Sequence, residues 1–132
     1  MSVVVGYVAT PEGSAALHAA VSAAKDRGVP LIVILSERGH RLGTDSADLG
    51  EQADEVRQML ESTGLIFDVR QTTRGRDVAE DIIGAAVTDR ADLIVIGLRR
   101  RSPVGKLILG SNAQRILLDS PCPVLAVKPV ST

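Results

Sequence analysis

Arg99, Arg100 and Arg101 follow the aliphatic run 94–96 and its closing Gly97, and Gly110, Ser111 and Asn112 then precede a helical pattern. Gly97 permits a sharp turn, and the triplet 110–112 opens a helix whose first N–H groups and positive dipole end attract an anion. Phosphate is the simplest such anion. The connection is about a dozen residues long, where two to six are usual between strand and helix, and loops of that length in compact domains are functional or disordered. Three arginines favour function over a merely solvated surface loop.

Other chemistries lack their residues. Dinucleotide binding needs G-x-G-x-x-G after the first strand, where the chain reads Gly6-Tyr7-Val8-Ala9-Thr10-Pro11. A Walker loop needs G-x-x-x-x-G-K-[ST]; Gly105-Lys106 has neither the first glycine nor the hydroxyl. No G-x-S-x-G or H-E-x-x-H is present, and His18 and His40 stand apart and read as surface. The first strand ends in Val8-Ala9 and the third in Thr72-Thr73, so no aspartate is placed as a phosphoacceptor, and Asp92 precedes its strand, at the opposite end of the sheet. Cys122 has no partner for a disulfide and, between Pro121 and Pro123, reads as a small core hydrophobe.

The bounds agree with one domain of 132 residues (1–132), long enough to bury an aliphatic core without disulfides or metal. Fifteen basic and 16 acidic residues give a net charge of −1, so no global field draws in nucleic acid or an anionic membrane. With one Phe, one Tyr and no Trp, there are no stacking platforms for bases either. The N-terminus has no basic, long apolar leader and no run reaches membrane-spanning length, so a cytoplasmic protein is expected.

These candidate residues need elements to hold them. The β-branched run 3–8 reads as a strand buried on both faces. Thr10-Pro11-Glu12 then supplies an N-cap, a first-turn proline and a first-turn acid, and Leu17, Ala20, Val21 and Ala24 recur at helical spacing until Gly28. Leu31–Leu35 is a second buried strand, and the polar, glycine-punctuated 36–45 reads as a loop or mobile lid. Leu49, Ala53, Val56 and Leu60 make one helical stripe ending at Gly64, and 65–72, carrying Asp68 and Arg70, reads as a half-exposed edge strand. Asp77 with Glu80 suggests a capping box opening a helix with the stripe Val78, Ile82, Ile83, Ala86 and Val87. After the strand 93–96, a last helix with Ala113, Ile116 and Leu117 on one face is stopped by Pro121 and Pro123, and Val124–Val127 is the final strand.

This βαβαβαβαβ order predicts an α/β fold: a five-stranded, parallel, doubly wound sheet of strand order 3-2-1-4-5 with helices on both faces. Ligands of such sheets bind at the carboxyl ends where chain direction reverses, here between strands 1 and 4, at Val8-Ala9-Thr10-Pro11 and Ile96-Gly97. The arginine loop starts at that point.

The chain resembles the universal stress protein family in the Thr10-Pro11-Glu12 turn after strand one, in the closing 121–127 run Pro-Cys-Pro-Val-Leu-Ala-Val, and in a G-x2-G-x9-G-[ST] pattern. Gly97, Gly110 and Ser111 fit that pattern, while Arg100 replaces its second glycine and Val8 stands where nucleotide-binding relatives place Asp. The resemblance implies a stress-response module that binds an adenine nucleotide such as ATP, ADP or AMP, with or without Mg2+, and catalyses at most weak ATP hydrolysis. It implies that Thr10, Pro11, Ile34 and Ile96 line a nucleoside pocket and that Gly97, Arg100, Gly110, Ser111 and Asn112 surround the phosphates; Val8, Ala9 and Arg99 complete the candidate set. Arg100 reads as a clamp on phosphate. The alternative is a nucleotide-independent, dimeric protein-interaction module with a degenerate pocket. Dimerisation is expected from the residues as well: Val124–Val127 is an apolar sheet edge uninterrupted by charge until Lys128, open to antiparallel pairing with a second copy unless Pro129 and the tail cover it.

Overall fold

In the computed structural model, which describes residues 1–36, 46–72, 77–101, 106–108 and 110–129 (for 46–49, 99–101 and 106–108 the backbone), aliphatic strands lie between two layers of helices. The chain runs β1 (Ser2–Tyr7), α1 (Pro11–Arg27), β2 (Leu31–Leu35), α2 (Ser46–Glu61), β3 (Phe67–Gln71), α3 (Val78–Thr88), β4 (Ala91–Gly97), β5 (Arg99–Arg101), β6 (Lys106–Ile108), α4 (Ser111–Asp119) and β7 (Val124–Val127). Five strands form one parallel sheet in the order β3-β2-β1-β4-β7, which is the predicted 3-2-1-4-5 when main-sheet strands alone are counted. Continuous β-branched runs suit these central positions because a strand covered on both faces needs an apolar side chain at every residue.

The pleat sorts those side chains into two cores. Val3, Val5, Val33, Leu35 and Val95 pack with Leu17, Ala20 and Ala24 of α1 and Val56 and Leu60 of α2. Val4, Ile32, Ile34, Ile94 and Ile96 pack on the other face with Ala79 and Ile82 of α3 and Ile116 of α4. Each fully buried aliphatic side chain contributes roughly 1.5–3 kcal/mol of transfer free energy, so this alternation fixes register as well as stability. Cys122 is half-buried against the α3/α4 core, with its N–H donating to Ser120 Oγ.

Both ends of α1 are closed as its sequence predicts. Thr10, extended at φ −142°, accepts the Gly13 N–H on its side chain at 3.1 Å, and Gly28 ends the helix in the left-handed region at φ 65°. Among the described residues the edge strand β3 pairs only with β2. There Arg70 donates to Asp68 at 2.8 Å and to Asp89 at the C-terminus of α3, also at 2.8 Å. Asp89, and then Asp68, hold this guanidinium still more firmly charged than usual.

Several expectations are corrected. Asp77 is the N-cap residue of α3 but its side chain makes no capping bond. Instead Asp77 and Glu80 both accept from Arg115 of α4 at 3.1 Å, so the carboxylates tie two helices together where a capping box was expected. Val87 and Leu117, placed on buried stripes by periodicity, are 61% and 43% exposed, because the neighbouring elements do not extend over them. The arginine loop contains a short antiparallel ribbon, β5 paired with β6. The expected lid with His40 (37–45), Thr73, the loop centre 102–105 and the tail 130–132 lie outside the described residues. Among the described residues no helix is long and apolar enough to cross a membrane.

Candidate functional site

The chain leaves β1 through Val8 and Ala9 in a tight turn in which the Thr10 N–H donates to the Val8 carbonyl at 2.7 Å. The first turn of α1 then lies directly against the sheet end, because two residues have no Cβ. A Cβ on Gly13 would overlap the Val8 carbonyl oxygen, and one on Gly97, at the end of β4, would overlap the Glu12 carbonyl oxygen. Backbone thus meets backbone at the switch point. Gly13 is missed by sequence reasoning: a glycine in a first helical turn has no local signature, and its partner is a main-chain carbonyl.

The adjoining strand ends keep the same register. Ser36 N–H donates to the Tyr7 carbonyl at 3.1 Å, extending β2 alongside β1, and Leu98 N–H donates to the Val127 carbonyl at 2.8 Å, extending β4 alongside β7. The β1 and β4 carboxyl ends are therefore neighbours, as topology requires of a ligand crevice. Thr10 is buried at 7% exposure, and Ala9 and Pro11 are exposed beside it. Ile34 and Ile96, at 3% and 5%, are members of the α3/α4 core beneath this end and present little surface.

After the ribbon, Gly110 stands at the N-cap of α4 with φ −71° and ψ 169°, a conformation any residue adopts. It is exposed, and a Cβ built there meets no atom within 4 Å. Glycine here serves space, not backbone geometry. It has no side chain to cap the helix, and Ser111 and Asn112 are exposed, so the first turn of α4 faces open volume with its N–H groups and positive dipole end. A helix start of this kind favours an anion beside it. Arg99 and Arg100 lie on β5, which starts two positions after Gly97.

One turn further along α4, Arg115 is withheld from this role. Its Nη1 and Nη2 are on Asp77 and Glu80, and Asp119 lies 4.0 Å from its Nε. The network links α4 to α3 one turn after the helix start. A capping-box motif gives no hint of it, since the partners are 38 and 35 residues apart.

The topology therefore places Val8, Ala9, Thr10, Pro11, Gly97, Gly110, Ser111 and Asn112 at the carboxyl end of the sheet, while Ile34 and Ile96 are buried in the α3/α4 core. Among the described residues no group of three or more His, Cys, Asp or Glu side chains is placed to hold a metal.

Comparison with known proteins gives a consistent picture. A model of the universal stress protein family matches residues 1–128. A universal stress protein of Mycolicibacterium smegmatis is 42% identical over 127 residues, which are 96% of this chain and 97% of that protein. Among solved structures, a universal stress protein from Archaeoglobus fulgidus is similar with a TM-score of 0.76 at 32% identity, covering 97% of this chain and 98% of its own. A universal stress protein from Archaeoglobus fulgidus in complex with dAMP is similar with a TM-score of 0.72 at 26% identity, with the same coverage.

Proposed function

Because the chain belongs to the universal stress protein family, we propose that it binds an adenine nucleotide at the switch point between β1 and β4 as a stress-response module. The observation that carries this reading is the open cradle at Gly110: unfilled space, a helix N-terminus without a side-chain cap, and a neighbouring arginine strand. The dAMP-bound relative supports the adenosine part. The phosphate sits against the Gly110, Ser111 and Asn112 backbone, Arg100 clamps it, and the adenosine lies along Val8 to Pro11. With ATP, Mg2+ enters as the counter-ion of the phosphates.

The module binds without fast chemistry. The proposed role includes at most feeble hydrolysis of ATP. Calorimetric titration of the nucleotide-stripped protein with ATP, ADP, AMP and cyclic AMP, with and without magnesium, tests the reading. Saturable heat with at least one is expected, and no heat with any rejects it. Phosphate release from Mg–ATP, followed in parallel, is expected to stay near background.

The same sheet supports a two-fold dimer through β7. Its outer edge has no strand partner among the described residues, and Leu125 on it is 43% exposed. Two such edges pair antiparallel without rearranging either sheet. A nucleotide-independent interaction role would retain this dimer and lose the titration heat.

A further inference from the structure

Glu80, Gly84 and Val87 fall at i, i+4 and i+7 of α3, and Arg115 and Leu118 at i and i+3 of α4, so each set makes one stripe along its helix. Both helices are crossovers between parallel strands on one face of the sheet, and they run in the same direction. The 3.1 Å contact between Arg115 and Glu80 therefore sets the two stripes side by side. One turn beyond that ion pair, about 6 Å along the helices, the polar contact gives way to Gly84, Leu118 and then Val87. Gly84 is exposed, and a Cβ built on it meets nothing within 4 Å, which leaves a notch between the stripes. Leu118 and Val87 border it at 84% and 61% exposure. Leu118 stands two residues from Ile116, the buried residue of α4, and so on the opposite side of the helix from the core.

Apolar side chains scattered singly over a surface need no explanation, whereas two on facing stripes beside an open notch make a docking face. Its charge selects the occupant. Among the described residues, the exposed carboxylates of Asp77, Glu80 and Asp119 share one guanidinium, that of Arg115, so the groove has a net negative rim. A second copy of this face would bring like carboxylates together, and an anionic membrane would meet the same repulsion, whereas a cationic partner gains from both the rim and the notch. We propose that the groove between α3 and α4 docks a basic amphipathic helix of another protein. Its apolar stripe lies in the Gly84 notch against Leu118 and Val87, and its lysines or arginines lie over Asp77, Glu80 and Asp119. The notch is toward the C-terminal ends of α3 and α4, at the amino end of the sheet, so this site is separate from the nucleotide site at the carboxyl end.

The test is an NMR titration of the full 15N-labelled chain, without nucleotide, with a synthetic helical peptide of about 18 residues carrying leucines on one face and lysines on the other. Saturable shifts are expected at the amides of Gly84, Val87 and Leu118, with an affinity that falls as salt is added. A peptide with glutamate in place of every lysine, and one scrambled so that it has no apolar face, are each expected to bind at least about tenfold more weakly. The Val87→Ser/Leu118→Ser variant, altered at exposed positions, is expected to lose about tenfold in affinity. Gly84→Leu fills the notch with a better helix former than glycine, so it keeps the protein folded and is expected to weaken the peptide as well. No shifts, shifts confined to other surfaces, equal binding of the glutamate peptide, or unchanged affinity in the folded variants would each overturn the proposal. So would a loss of mass on light scattering in Val87→Ser/Leu118→Ser, which would assign the face to a second copy of the chain.

Discussion

Glycine in a helix ordinarily costs about 1 kcal/mol relative to alanine. At Gly13 the sign should reverse, because the Val8 carbonyl occupies the space an added methyl needs. Gly13→Ala is expected to destabilise the protein by roughly 1–3 kcal/mol, the usual cost of overpacking, and to lower the melting temperature accordingly. A stabilised variant would show that α1 does not press on the sheet end as described. Gly110 behaves oppositely, since its φ is ordinary and its surroundings are open. Gly110→Val should cost no more than about 1 kcal/mol, through a poorer N-cap, while eliminating nucleotide heat by filling the cradle. Arg100→Ala separates two roles for a side chain at a position that the resemblance to the family's G-x2-G-x9-G-[ST] pattern would give to glycine. Weaker binding, by about tenfold, identifies a clamp, and tighter binding would identify an obstruction.

At the level of elements, α3 and α4 are joined by Arg115 and two carboxylates that remain largely solvated. Exposed ion pairs contribute little, so a double-mutant cycle between Asp77→Ala and Arg115→Ala should return a coupling of about 0.5 kcal/mol that fades with added salt. A side-chain N-cap at Asp77 would instead show a salt-insensitive loss of about 1 kcal/mol with no coupling to Arg115. This contrast also marks how much could be read from the chain. Strands such as Leu31–Leu35 were legible because a doubly covered strand must be aliphatic throughout, and α1 was legible because Thr10 and Gly28 act on their own neighbours. The Asp77–Glu80 pattern misled because it is local while the winning partner is distant in sequence. Periodicity finds the helical faces but not their margins, so it places Val87 on a buried stripe although the side chain is largely exposed. The ribbon of β5 and β6 is not legible at all: strands of three residues, one of them all arginine, are too short to show an alternation. In the candidate site, Gly97 and Gly110 were visible as punctuation, whereas Gly13 and Arg115 act through partners that only the fold supplies.

For the molecule as a whole, the proposed β7 pairing makes a prediction about mass. Light scattering after size exclusion is expected to give two chains at micromolar concentration, and Leu125→Lys should return a folded single chain. A single-chain mass for the unaltered protein would reject the dimer. The two ends of the sheet are also built differently. At the amino end of β1, Ser2 Oγ donates to the Asp89 carbonyl at 3.0 Å and Arg70 holds the Asp89 carboxylate, so particular side chains close α3 onto the sheet. At the carboxyl end, apart from the Thr10 side chain that caps α1, the described closures are made by main chain: Val8 contributes its carbonyl to the turn and to the contact with Gly13, and its side chain enters neither. Mutational tolerance should therefore be polarised along the strand axis. A saturation library would find the amino end intolerant of changes in side-chain chemistry, and the carboxyl end intolerant chiefly at the Thr10 cap and where bulk replaces glycine. Such an arrangement lets ligand preference drift through evolution, or be redesigned at position 8, without refounding the scaffold beneath it.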